Sequence, residues 1–148
     1  MTVDVRNRQR SVKVNLSKLR KDTGHLLKLL NCDGVEVSIL LANDDRIRKL
    51  NYEYRNKNTT TDVLSFPMDD SSTGYPYGDT LLGDIVINAH MSRRRANETG
   101  NSLHTVIRRL LVHGLLHLVG YDHEKNEYQT RRMSDKEKQL LNALSKLD

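Results

Sequence analysis

Residues 103–118, LHTVIRRLLVHGLLHL, constrain the fold more than any other stretch of the chain. Leu103, Val106, Ile107, Leu110, Leu111, Leu115 and Leu118 recur at helical spacing and cover an arc wider than the single stripe of a surface helix. Such a helix belongs in the interior, with neighbours on several sides. Ser102 is placed to cap its start and Gly120 to stop it.

The rest of the chain supplies those neighbours. TVDVRN reads as a short strand, and Leu19, Leu26, Leu27 and Leu30 give a helix from Leu16 capped by Asn15. Val35, Val37, Ile39 and Leu41 alternate with Glu36, Ser38 and Leu40, the period of a strand with one buried face. Asn43 caps a helix whose apolar stripe is Ile47, Leu50 and Tyr54, followed by a polar loop from Arg55 to Thr61. DVLSFP reads as a strand stopped by Pro67, Asp69 to Thr80 as an exposed loop, and LLGDIVI as a strand. A helix from about Ala89 to Glu98 ends at Gly100, and a last helix from about Glu127 carries Met133, Leu140, Leu141, Leu144 and Leu147 on one side. The expected fold is α+β, one domain over residues 1–148, with a small mixed sheet packed against helices and the core helix bearing two histidines.

Composition narrows the class. With 148 residues the chain can bury a core without staples, and its single cysteine, Cys32, is read as a packing residue of a reducing compartment. There is neither a membrane-length apolar run nor a secretory signal in MTVDVRNRQR, so a cytoplasmic protein with no membrane partner is expected. A net charge of +5 favours a polyanionic partner, though modestly. Arg93, Arg94, Arg95, Arg108, Arg109, Arg131 and Arg132 are candidates for a phosphate-tracking surface, while aromatic content of 5% argues against extensive base stacking.

The chemistry is concentrated in VHGLLHLVGYDH, residues 112–123. His113 and His117 are four residues apart, so both imidazoles leave one helical face, and the break at Gly120 lets His123 turn toward them. Three imidazoles leave a fourth tetrahedral position for water, as in catalytic zinc sites, although nickel or copper also suits such a set. His104 falls on the opposite face, and His25 and His90 are read as surface or satisfied polar residues. Ligands and glycine match the metzincin pattern H-E-x-x-H-x-x-G-x-x-H, but Gly114 replaces the protease's general-base glutamate. Phosphodiester cleavage does not require that glutamate, and Gly114 is expected to leave open space beside the metal, with glutamate there tolerated by the helix.

The same residues match the signature H-G-x-L-H-L-x-G-Y-D-H throughout positions 113–123. With LNYEYRNKNTTTDVLSFP at 50–67 and LGDIVI at 82–87, the chain resembles the YbeY family of bacterial endoribonucleases over nearly its whole length. The resemblance implies a single-strand-specific, zinc-dependent endoribonuclease that matures the 3′ end of small-subunit ribosomal RNA and acts in ribosome quality control. Its partners would be single-stranded RNA, ribosomal RNA and ribosomal subunits. It implies zinc on His113, His117 and His123, with Arg55 of the Y-R-x-K element and His113 as the catalytic residues. Thr60 stands where family members often have proline, which frees the loop backbone. Asp122 is as readily a cap as an orienting group. Two other classes are compatible with the histidines: a metalloprotease or small-molecule hydrolase, and a non-catalytic ribosome-assembly factor with structural zinc, for which Cys32 is the only thiol able to complete the site.

Overall fold

The computed structural model of the chain describes residues 3–68 and 81–148. The loop expected at Asp69 to Thr80 lies outside them. Among the described residues nine elements follow in order: β1 (Val3–Asn7), α1 (Leu16–Leu29), β2 (Glu36–Ala42), α2 (Asp44–Arg55), β3 (Val63–Pro67), β4 (Leu81–Asn88), α3 (Ala89–Thr99), α4 (Leu103–Leu118) and α5 (Glu127–Leu147). The strands form one mixed sheet of order β1-β2-β4-β3, in which β1, β2 and β4 are parallel and β3 is antiparallel to β4 at the edge.

Strand periodicity divides the residues between two faces. Val5, Ile39, Ile85 and Ser65 align across one face, and Asp4, Ser38, Asp84 and Phe66 across the other. The first face carries α1, α4 and α5, and the main core forms there around Val37, Ile39, Ile87, Leu111, Leu115 and Met133. On the second face a smaller cluster of Ala42, Ile47, Leu64 and Val86 lies under α2. Each buried leucine or isoleucine of these clusters contributes about 1.5–3 kcal/mol relative to exposure.

The caps expected from sequence are present: Asn15, Asn43 and Ser102 accept from the backbone N–H of Lys18, Arg46 and Thr105. Asn88 and Asn126 cap α3 and α5 in the same way. Three side chains depart from their expected stripes. Tyr54 is 62% and Leu147 55% exposed, so both stand at the end of an apolar face instead of inside it. Arg108 is buried on α4, where Nε and Nη2 grip the buried Asp22 carboxylate at 3.0 and 3.1 Å and Nη1 and Nη2 grip Asp148 at 2.9 and 2.8 Å. It ties α4 to α1 and to the end of α5, and is therefore no part of a phosphate-tracking surface. Arg94 and Arg95 are likewise engaged, with Asp44 and Asp62.

Gly114 is buried, and a Cβ placed there would meet Ile85 at 3.0 Å and the Ser65 hydroxyl at 3.2 Å. The glycine faces the sheet, so it does not provide open space beside a metal. The Ser65 hydroxyl donates to the Gly114 carbonyl at 3.3 Å, which marks how closely α4 lies on β3.

Gly114→Glu is therefore expected to lower stability by about 1–3 kcal/mol or more in denaturant unfolding, despite glutamate's better helix propensity. Arg108→Ala should cost about 3–5 kcal/mol, because it strands a buried carboxylate. Arg108 holds the Asp148 carboxyl down, from 3.8 to about 2. A carboxyl whose folded pKa is depressed stabilises the fold above its ordinary pKa, and that contribution is lost as pH falls through the folded value. In the Arg108→Ala variant, the share of acid destabilisation due to Asp148 between about pH 4 and pH 2 should disappear.

Candidate metal centre

Helix α4 delivers His113 and His117 on one face, with their Nε2 atoms 3.1 Å apart. Its end then sets the third histidine. The Gly120 N–H bonds the His117 carbonyl at 3.1 Å and the Tyr121 N–H bonds the Leu116 carbonyl at 2.9 Å, a Schellman turn with Gly120 at φ 102°. This reversal brings the His123 ring centroid to 5.1 Å from that of His113 and 5.0 Å from that of His117. The Thr130 hydroxyl of α5 donates to the His123 carbonyl and pins the loop.

The ring orientations fit a metal. Nδ1 of His113 faces Glu137 Oε1 of α5 at 3.2 Å, and Nδ1 of His117 faces the Tyr121 carbonyl at 3.1 Å. With those protons donated outward, both Nε2 atoms are left as acceptors. Two nitrogens bound tetrahedrally at roughly 2.0–2.1 Å would lie about 3.3 Å apart, close to the separation found. Nδ1 of His123 is buried without a hydrogen-bond partner among the described residues, and one ligand atom from each of the three histidines falls within 4.8 Å of the others. Burial, followed by the neighbouring His113 and His123, pushes the His117 pKa below its ordinary value, which favours the neutral, coordinating imidazole.

These histidines open onto a cavity of about 720 Å³ whose far wall comes from the end of α2, the 57–62 loop and β3. Arg55 is on that wall. It is the last residue of α2, not a loop residue, because the left-handed Asn56 (φ 57°) ends the helix one position later. Its Nη2 donates to the Ser65 carbonyl at 3.1 Å, and its guanidinium sits 5.9 Å from the Phe66 ring centroid. The loop is held by Asn51 Nδ2, which donates to the Thr59 carbonyl at 2.9 Å, and by Asn88 Nδ2, which donates to Asp44 at 2.8 Å and to the Thr61 carbonyl at 3.1 Å. Thr60, far from loosening the loop, joins this network through its hydroxyl, 3.4 Å from Asp44. Arg94 clamps Asp44 through two bonds and, with the Asn88 and Thr60 contacts, brings its carboxyl to about 2.

The remaining candidates separate from the site. Cys32 lies in the hydrophobic core with Sγ 3.4 Å from the Leu30 carbonyl, so it does not complete the histidine set. His104 faces Asp22 at 3.1 Å, away from the other histidines. His90, expected as a surface or satisfied polar residue, has a buried Nε2 with no hydrogen-bond partner among the described residues. Asp122 accepts from the Glu124 N–H at 2.8 Å and so serves as a turn cap. Glu137 is the site residue that sequence reasoning missed. Its only signal would have been a carboxylate on the inner side of α5, and nothing local distinguishes it from its charged neighbours.

A mixed α/β domain with three inward-facing histidines on a helix and its terminal turn defines a class of proteins able to hold one transition-metal ion. Comparison narrows this further. A family model described as Endoribonuclease YbeY matches residues 4–145. Curated proteins of that description include one from Aquifex aeolicus, 42% identical over 90% of this chain and 87% of its own length. Another, from Geobacter metallireducens, is 37% identical over 99% of this chain and 97% of its own. A solution structure from Thermotoga maritima superposes with a TM-score of 0.64 at 27% identity, covering 93% of this chain and 85% of the other. The chain belongs to the YbeY endoribonuclease family.

If Glu137 orients His113, Glu137→Gln should lower metal affinity about 10- to 100-fold in competition with a chelating indicator while leaving thermal unfolding of the metal-free protein almost unchanged. An affinity equal to wild type would remove Glu137 from the centre.

Proposed function

We propose that the protein is a zinc-dependent endoribonuclease that cuts single-stranded RNA in the cytoplasm, acting on ribosomal RNA in small-subunit 3′-end maturation and in ribosome quality control. The observation that carries the reading is one cavity bounded on one side by three histidines and on the other by Arg55, in a chain of the YbeY family. Zinc on His113, His117 and His123 would supply Lewis acidity and a nucleophile near neutral pH.

The chain's own residues do the remaining work. Arg55 is anchored by the Ser65 carbonyl through Nη2, which leaves its other donors for a phosphate, where a planar fork neutralises charge and fixes orientation together. His113 is held by Glu137 and His117 by Tyr121, so neither ring must reorganise as charge builds on the phosphate. Gly114 stands where the metzincin pattern carries its general-base glutamate, and it packs on Ile85 and Ser65, which supports phosphoryl chemistry over peptide hydrolysis, where a general base must serve a poor amine leaving group. The absence of Cys32 from the centre weighs against a closed structural zinc site. For the location, no described helix is long and apolar enough to cross a membrane.

Arg55→Ala is expected to keep metal content and fold while lowering cleavage of single-stranded RNA on the order of a hundredfold or more. Arg55→Lys should recover only part of that loss, since a point charge lacks the fork. Metal-loaded and chelated protein assayed on matched RNA and peptide substrates decides the class: efficient peptide cleavage, or RNA cleavage indifferent to chelation, would overturn the reading.

A further inference from the structure

On the face of the sheet opposite α4, a second groove of about 600 Å³ runs along β1, β2 and β4 to the end of α2. Among its walls are Arg8, Arg46, Leu40, Tyr54 and Phe66, and Tyr54 and Phe66 form a tilted ring pair with centroids 5.1 Å apart. This groove lies close to the histidine cavity. Among the described residues β3 pairs only with β4, and Arg55 lies along the side of β3 turned away from β4: it lines the histidine cavity, bonds the Ser65 carbonyl and sits over the Phe66 ring.

We propose that Tyr54 and Phe66 are a stacking platform for a base of single-stranded RNA whose neighbouring phosphate is held by Arg55, so that the strand passes from the histidine cavity past Arg55 into the second groove. The proposal rests on the RNA substrate proposed above. Ring exposure is the first argument. Tyr54 keeps 62% of its surface exposed although it is drawn against Phe66, which leaves an aromatic surface presented to solvent beside a cation. A purely structural contact at the end of α2 would gain from burying that ring.

The second argument is charge. Arg6 is paired with Asp4 at 3.2 Å, but Arg8 and Arg46 are exposed and pair with no carboxylate among the described residues. Asp84 also lines the groove. Its position on the second face, aligned with Ser38 and Phe66, would keep phosphates toward the arginine walls and leave the ring pair to a base. The third argument is selectivity. Bases in a duplex are stacked on one another and cannot reach an aromatic pair, whereas an unpaired strand can splay one base outward. The platform thus provides a physical origin for single-strand preference. It is compatible with the low aromatic content, because one well-placed aromatic pair beside the reacting phosphate suffices where an extended row of rings is missing.

The test uses the full-length, zinc-loaded protein and initial-rate kinetics on a single-stranded RNA oligomer, beside the same oligomer with abasic nucleotides flanking the cut. Tyr54→Ala should raise KM for the intact oligomer about 5- to 150-fold, the range a single base–aromatic stack contributes, with kcat changed far less. On the abasic oligomer, wild type and Tyr54→Ala should have equal KM. Tyr54→Phe should match wild type on both, since the ring remains, and Phe66→Leu should follow Tyr54→Ala. Equal metal content and unfolding midpoint establish that the exposed position has not altered the fold. A Tyr54→Ala variant that cuts the intact oligomer with wild-type KM, or loses equally on intact and abasic strands, overturns the platform and leaves the endoribonuclease reading standing. Wild-type protein that neither binds nor cuts RNA overturns that reading and the platform with it.

Discussion

The contact between Gly114 and the β3–β4 pair fixes the distance from which everything else in the site is measured. A side chain at position 114 would press on Ile85 and Ser65, so only glycine lets α4 settle this close to the sheet. His113 precedes that contact and His117 follows it within one turn. Their rings therefore leave the helix beside the edge strand instead of above the middle of the sheet. Arg55 reaches the same edge from α2 and is fastened to Ser65, the residue whose hydroxyl holds the Gly114 carbonyl. One serine in the edge strand thus references both the metal side and the arginine side of the cavity.

Around that reference the orientation of each group is over-determined. The turn that stops α4 also presents the Tyr121 carbonyl to His117, so helix termination and tautomer choice are a single event. Helix α5 contributes twice, with Glu137 on His113 and Thr130 on the His123 carbonyl. The opposite wall is held by the network of Asp44, Asn88, Thr60 and Arg94, which fastens the 57–62 loop to the starts of α2 and α3. Two arginines that the sequence offers for a phosphate-tracking surface, Arg94 and Arg95, are engaged here and at Asp62, and a third, Arg108, closes the junction of α1, α4 and α5.

Much of this was legible where the information is local. Capping residues, the two-residue period of β2 and the breadth of the α4 apolar surface follow from neighbours in sequence, and all are found in the structure. The three histidines were legible for the same reason: a helical turn and a glycine reversal suffice to gather them. What sequence concealed depends on contacts between distant segments. The antiparallel placement of β3 at the edge, the burial of Arg108 by Asp22, the packing role of Gly114 and the approach of Glu137 each require the tertiary arrangement. Arg55 was identified through family likeness, but its helix-end position and its hold on Ser65 were not. Tyr54 fitted a helical stripe in sequence, yet the stripe runs out at the end of α2 where the sheet no longer covers it.

The three histidines that could hold an ion all lie within residues 113–123, whereas Arg55 reaches them only across the assembled sheet. Closing so short a loop around an ion costs little chain entropy. Bringing Arg55 opposite it requires parallel strands joined by long crossovers, which are slow to pair during folding. The ion's ligands can therefore gather in a chain whose sheet has not yet formed, well before the arginine is in place. Metal occupancy would report on the end of one helix and its turn, while competence toward a phosphate would report on the topology of the whole molecule. During synthesis or after partial unfolding the two would separate in time, and a chain able to capture an ion would still lack the surface placed to grip a phosphate.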